Sequence, residues 1–410
     1  MFFARKILSK IGSHLARDEA TIIIGARQTG KSTLLRHLHA ELKSGGRESW
    51  FINLENFEYL RLLNTSPLEL FTLIGRSDSR TRAVVFIDEF QYLENPSNFI
   101  KLIHDEYRGT IKLVVSGSSA FYLDEKFTDS LAGRKRIFHL PTLDFVDFLT
   151  FRQREDVLEA LEQCGGCPRD VPRMVIDDIE ALQREYLVFG GYPAVVLAES
   201  IEEKKLLLED IVSSYVKKDV YEAGVRKTTE FFSLFRMLAS QTGGLVNKHE
   251  LSARLGVSVS AVTRYLSTMQ RCFHISLLQP FAKNIRSELT KMPKVYFNDV
   301  GLRNYLVKHL AYEHVLGDGH MLENAVFRAL ADTGPSEELH FWRTQSGNEI
   351  DFVLPDSNRA FEVKTNLRKF KKSKHKLFTQ AYPSFSLTPI TLKHADDVDF
   401  AFLPLWGLYC

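Results

Sequence analysis

Lys31 follows the turn Gly25-Ala26-Arg27-Gln28-Thr29-Gly30 and precedes Ser32 and Thr33. Glycines at both ends of such a turn let the backbone bend tightly and aim its N–H groups at one point, and a helix opening there adds its positive end. The result is an anion cradle for the phosphates of ATP. Lys31 is placed to reach the β- and γ-phosphates, and the Ser32 hydroxyl to complete the shell of a Mg²⁺ ion.

Two further groups of residues suit phosphate chemistry. Asp88-Glu89 ends an apolar run: the first carboxylate is suited to Mg²⁺, the second to orienting or deprotonating an attacking water. Ser116 or Ser118, at the end of the next apolar run, is a candidate for sensing the γ-phosphate. Farther on, Asp351 precedes Glu362-Val363-Lys364, with Glu323 upstream in a helical segment. Pairing Leu354 with Arg359 across the turn 355–358 would set Asp351 opposite Glu362, and like charges facing each other on a sheet are destabilising. A divalent cation, Mg²⁺ or Mn²⁺, held by Asp351 and Glu362 would resolve that conflict, with Lys364 polarising a scissile phosphate.

The elements that must position these groups follow from hydrophobic pattern. Residues 21–24, 50–54, 83–87 and 111–115 are apolar runs separated by helical stretches. That alternation implies a parallel sheet covered on both faces, with ligand at the carboxyl ends of its strands. Residues 144–240 carry helical spacing, broken by Gly165-Gly166, Pro168, Pro172 and Gly190-Gly191-Tyr192-Pro193. Two short helices joined at Gly256, followed by a strand within 272–278, predict a winged helix-turn-helix. Its second helix would offer Ser258, Ser260, Thr263, Arg264 and Ser267 to a major groove, with Lys283 and Arg286 on phosphates. In the last segment, Leu322, Ala325, Val326, Ala329 and Leu330 mark the buried face of a helix, with Glu323 at its margin. Strands at 349–354 and 360–364 follow. The expected division is 1–143, 144–240, 241–290 and 291–410.

Gly25 to Thr33 with Arg27 and Gln28, Asp88-Glu89-Phe90-Gln91, and Gly133-Arg134 together resemble the AAA-type ATPases that carry a C-terminal domain of unknown function numbered 4143. The resemblance implies a bacterial or archaeal P-loop ATPase with an AAA-like sheet. It also makes Arg134 a candidate arginine sensor or finger for the γ-phosphate; a finger acting in trans would require a homo-oligomer. The run 294–301, Gly190 to Pro193 and Tyr215 to Asp219 resemble segments of the same family. The spacing of Glu323, Asp351, Glu362 and Lys364 resembles the PD-(D/E)xK nucleases, which implies a restriction-endonuclease-like α/β domain acting on DNA. The run from Arg368 to Lys376 beside it is rich in lysine, as a phosphate backbone requires. Two functions remain open: an ATPase coupled to a nuclease, or an ATP-switched regulator whose nuclease-like domain binds without cutting.

The composition suits either. The chain has 410 residues, 44% hydrophobic and 25% charged, with a formal net charge of +2, so any nucleic-acid surface is local rather than global. Of the four cysteines only Cys164 and Cys167 are close, which favours reduced thiols over a disulfide framework and gives no metal-ligand spacing. There is no apolar run long enough for a membrane span, and the basic start leads directly into the first strand, so a cytoplasmic protein without a presequence is expected.

Overall fold

The computed structural model describes residues 2–75, 82–118, 131–164, 171–281, 292–333, 339–393 and 401–410. The chain divides into two units, Met1–Pro141 with Arg271–Phe273, and Thr142–Gln270 with His274–Cys410.

In the first unit, strands β1 (Ala20–Ile24), β2 (Ser49–Asn53), β3 (Ala83–Asp88), β4 (Ile111–Gly117) and β5 (Lys135–His139) form a parallel sheet in the order β2-β3-β4-β1-β5. Successive side chains point to opposite faces, so apolar runs must be covered twice. Ile23, Val84, Phe86 and Val114 pack with Leu34, Leu35 and Leu38 of the helix Lys31–Ser44. Ile22, Ile24, Val85, Ile87 and Val115 pack with Phe99, Ile100 and Ile103 of the helix Pro96–Glu106. The order places β4 between the P-loop strand β1 and the acidic strand β3, and puts the loops after β1, β3 and β4 at one end. Strand β5 escapes the apolar pattern because Lys135, Arg136 and His139 interrupt it, as suits an edge strand.

The second unit builds helices, a helix pair and a second sheet around one core that runs from Leu143 to Trp406. Its described residues from Phe145 to Ser240 are helical wherever they are regular. The helices Lys248–Leu255 and Val259–Arg271 meet at Gly256, and β6 (Ile275–Leu278) pairs antiparallel with β7 (Lys294–Phe297). Residues 282–291 of the connection between them, with Lys283 and Arg286, lie outside the described residues. Strands β8 (His340–Arg343), β9 (Glu349–Leu354), β10 (Arg359–Val363), β11 (Ser386–Thr391) and β12 (Leu403–Pro404) follow the order β12-β11-β10-β9-β8. The helix Gly319–Thr333 lays Leu322, Ala325, Val326 and Ala329 into the same core as Phe352 and Phe361.

Two expectations are corrected here. Cys164 and Cys410 are not isolated thiols; their Cα atoms lie 6.1 Å apart and their sulfurs are joined, because the chain's end folds back, with Tyr409 against Phe145. Cys167 lies outside the described residues. Strict period-two alternation also fails in β9. His340 pairs with Val353 and Trp342 with Ile350, so β9 carries an extra residue. That bulge sends Ile350 into the small core of Trp342, Val353, Ala360 and Phe378, while Phe352 faces the main core.

Candidate functional sites

Gly30, at φ 93° and just before the helix Lys31–Ser44, occupies a left-handed conformation that an L side chain resists. The turn it closes is rigidly tied: Thr29 Oγ1 donates to Ala26 O at 2.9 Å, and Arg5 donates to Thr29 O at 3.2 Å. Lys31 is buried and folds back across the loop, donating to the carbonyls of Gly25 at 2.9 Å and Ala26 at 2.8 Å. Those carbonyls are weak partners for an ammonium compared with a phosphate dianion.

Across the strand ends, Asp88 is 2% exposed and accepts the hydroxyl hydrogen of Ser116. Ser116 Oγ in turn accepts the Glu89 N–H at 3.2 Å. One hydroxyl therefore locks the acidic pair to β4, the position the strand order requires. Glu89 itself has φ 56°, uncommon for a residue with a side chain and typical of functional sites. Burial raises the Glu89 carboxyl above its usual range, opposed by a hydrogen bond from Gln91 and by the charges of Lys31 and Arg27. Gln91 Nε2 also donates to Ser118 Oγ at 3.1 Å. So Arg27, Lys31, Asp88, Glu89 and Ser116 converge. Sequence reasoning assigned no role to Gln91, although it stands in the run Asp88-Glu89-Phe90-Gln91 that carries part of the family resemblance.

Arg134 does not join them within one chain, which leaves only a role toward another copy's phosphates open to it. It precedes Lys135, which pairs with Ala20 at the start of β1, whereas the P-loop leaves the other end after Ile24. Five residues of strand span ~16 Å, beyond an arginine side chain. Arg134 instead grips Asp105, with Nε on Oδ1 at 2.7 Å and the terminal nitrogen on Oδ2 at 3.1 Å.

In the second unit, Leu354 does pair with Arg359, and the ladder continues to Phe361 opposite Phe352. One step on, the Asp351 side chain replaces the ladder: its Oδ2 accepts the Val363 N–H at 2.8 Å. Glu362 is buried, and its Oε1 accepts from the Lys364 ammonium. His375 Nε2 lies 4.0 Å from the same oxygen. Glu362 Oε2 has no hydrogen-bond partner. Burial raises the Glu362 and Glu323 carboxyls above their usual range, Asp351 raises both further, and the neighbouring lysines oppose it.

The residue missed in the sequence is Lys294. It stands on β7, 2% exposed, with Nζ 2.9 Å from Glu323 Oε1, 2.5 Å from Glu349 Oε1 and 3.8 Å from Asp351 Oδ1. Tyr296, two residues along the same face, donates to Glu323 Oε1 at 2.7 Å. Burial alone would lower the Lys294 ammonium, but Glu323, Asp351 and Glu349 together raise it. The available signal was a lysine inside the otherwise apolar strand Lys294-Val295-Tyr296-Phe297. Among the described residues, no three of these carboxylates bring an oxygen each within 4.8 Å of one another. As arranged, then, they do not form a cage of three carboxylates, and the Lys294 ammonium already neutralises part of the cluster.

On the helix pair, most of the proposed groove readers are satisfied internally. Ser258 Oγ caps the Ala261 N–H at 3.2 Å and meets Ser260 Oγ at 2.9 Å, and Thr263 Oγ1 donates to Val259 O at 3.0 Å. Arg264 is exposed, lying over the Tyr265 ring, and Ser267 is half-buried.

The P-loop, the acidic strand end and the parallel sheet have the arrangement of the P-loop NTPase fold. Residues 17–149 match the family described as an AAA domain, residues 180–312 a domain of unknown function (DUF8612), and residues 318–397 a domain of unknown function (DUF4143). An uncharacterized protein of Haemophilus influenzae is 25% identical over 85% of this chain and 84% of its own length. One from Methanocaldococcus jannaschii is 25% identical over 95% and 85%. The likeness to solved structures is weak. AMPPCP-bound DnaA from Aquifex aeolicus aligns over 66% of this chain and 89% of its own, at 14% identity and a TM-score of 0.31. PCH-2 of C. elegans aligns over 45% and 59%, at 12% identity and 0.31. No described helix is long and apolar enough to cross a membrane.

Proposed function

We propose that this chain is an ATP-hydrolysing switch that acts on DNA through its second unit. ATP brings Mg²⁺, which Ser32 and Asp88 would hold; Lys31 leaves its carbonyl partners for phosphate oxygens, and Glu89 orients or deprotonates the attacking water. Ser116 bonds both members of the acidic pair, so it is the group through which a change at the γ-phosphate reaches them.

The observation that carries the DNA reading is the basic run. Arg368, Lys369, Lys371, Lys372, Lys374 and Lys376 are exposed, while Leu367 and His375 between them are buried. The run forms two single-turn helices, Leu367–Lys369 and Lys372–His375, rather than one solvated helix. His375 anchors it beside Glu362, so the run stands next to the carboxylate cluster and offers its cations to a phosphate backbone passing there. Arg264 adds a cation on the helix pair, in keeping with a winged-helix reading. Cleavage by Asp351, Glu362 and Lys364 with Mg²⁺ or Mn²⁺ is the second reading, favoured by their close grouping. The ammonium of Lys294 among the carboxylates favours a platform that binds without cutting, and that is the reading adopted.

Fluorescence anisotropy with labelled duplex, branched and single-stranded DNA, with and without ATP, tests it. Lys371→Glu with Lys372→Glu should weaken binding similarly for all sequences and flatten the salt dependence by roughly one unit of slope per lost contact. Unchanged affinity would remove DNA from the proposal.

A further inference from the structure

We infer that Lys294 is a built-in cation standing where the superfamily pattern places a divalent metal, and that its ammonium closes the Glu323–Glu349–Asp351–Glu362 cluster to metal. The inference rests on the nuclease-like reading of the second sheet, and concerns what that site binds.

Each carboxylate has an assigned counterpart. Glu323 Oε1 takes the ammonium of Lys294 and the hydroxyl of Tyr296, so a metal using that oxygen would have to displace both. Glu349 is gripped between Lys294 and Arg343. Asp351 spends Oδ2 on the Val363 N–H and turns Oδ1 toward Lys294 at 3.8 Å. Glu362 Oε1 goes to Lys364, while Glu362 Oε2 is buried without a hydrogen-bond partner. A Mg²⁺ held by Glu362 and Asp351 with water in its remaining positions would use Asp351 Oδ1, the oxygen that faces the Lys294 ammonium at 3.8 Å. A dication bound between Asp351 and Glu323 would also stand a few ångströms from a monocation in a buried setting, where repulsion is strong.

The lysine is built in rather than drifting. Its strand β7 is pinned on one side by pairing with β6, and Lys294 Nζ lies 5.4 Å from the centre of the Phe341 ring. The backbone seals the other side: Gly243 N–H donates to Val295 O at 2.8 Å, and a side chain at Gly243 would meet the Glu323 carboxylate at 2.8 Å. The like-charge conflict between Asp351 and Glu362 is therefore resolved by two ammonium groups, Lys294 and Lys364, in place of one metal.

The test measures Mn²⁺ binding to the full chain without nucleotide, by electron paramagnetic resonance and thermal melting, with Asp351→Asn as the control that separates this site from the P-loop. Wild type should show no Mn²⁺ binding that Asp351→Asn removes. Lys294→Gln should melt lower than wild type in chelator and gain a Mn²⁺-dependent rise in melting temperature that Asp351→Asn abolishes. Should Lys294→Gln fail to fold, Lys294→Gln with Glu349→Gln restores the charge balance and should show the same gain. Wild-type Mn²⁺ binding dependent on Asp351, or folded Lys294 variants that bind none, would overturn the inference. DNA affinity measured on the same wild-type samples keeps the two readings apart: its absence removes the DNA proposal and leaves the metal result to decide on Lys294.

Discussion

The Asp299 carboxylate reaches across 108 residues of sequence to Gly191: its Oδ2 accepts the Gly191 N–H at 2.8 Å, while Oδ1 caps Leu302 N–H at 2.9 Å. Two motifs that looked merely family-like, Gly190-Gly191-Tyr192-Pro193 and Asn298-Asp299-Val300-Gly301, are thus one joint. Gly190 sits at φ 77°, and a Cβ there would meet Asp299 Oδ1 at 2.3 Å. Asn304 completes the joint by donating to Leu187 O at 2.8 Å and Val188 O at 3.0 Å.

Gly190→Ala should therefore destabilise the second unit by about 1–3 kcal/mol, from left-handed strain plus overlap with a buried carboxylate. Chemical denaturation followed by tryptophan fluorescence reads this, since Trp342 and Trp406 both lie in the second unit. A change below about 0.5 kcal/mol would show that the joint relaxes freely.

In the first unit, Lys31→Ala should weaken ATP binding and abolish hydrolysis, whereas Glu89→Gln should bind ATP with near wild-type affinity and turn over roughly a hundredfold or more slowly. The difference follows from the proposed roles, Lys31 toward the phosphates and Glu89 toward the water. Fluorescent-nucleotide titration and phosphate-release kinetics separate the two; rapid turnover in Glu89→Gln would place the base elsewhere.

Arg134→Ala should leave ATP turnover within about twofold of wild type, because its guanidinium is tied to Asp105 at the far end of the sheet from the P-loop. The pair is solvent-exposed, so its loss should leave stability nearly unchanged. A tenfold loss of kcat without loss of stability would revive a role at the phosphate.

Local pattern carried a great deal. Gly25 to Ser32 is legible as a phosphate cradle because the chemistry is contiguous: the residues that turn the chain and those that touch phosphate are neighbours. The buried parallel strands were legible as apolar runs, and Ser116 between β1 and β3 followed from the strand order that runs imply. Strand β5 was not, since an edge strand with Lys135 and Arg136 lacks the apolar signature. Nor was the bulge at Asp351, whose cause is the pairing of β9 with β8.

What only the tertiary structure decided is which charge neutralises which. The sequence by itself places Asp351 opposite Glu362 and calls for a positive partner, because a hairpin register is a local property. It cannot say whether that partner is a metal or a lysine. Lys294 lies 57 residues before Asp351, and only the pairing of β7 with β6 and the packing of the helix Gly319–Thr333 bring its ammonium to Glu323. Arg134 teaches the same lesson: its neighbours in sequence say nothing of its partner, and the direction of β5 carries it to the end of the sheet where Asp105 stands. Electrostatic pairing over such separations depends on distances in space, and those are set by packing rather than by spacing along the chain.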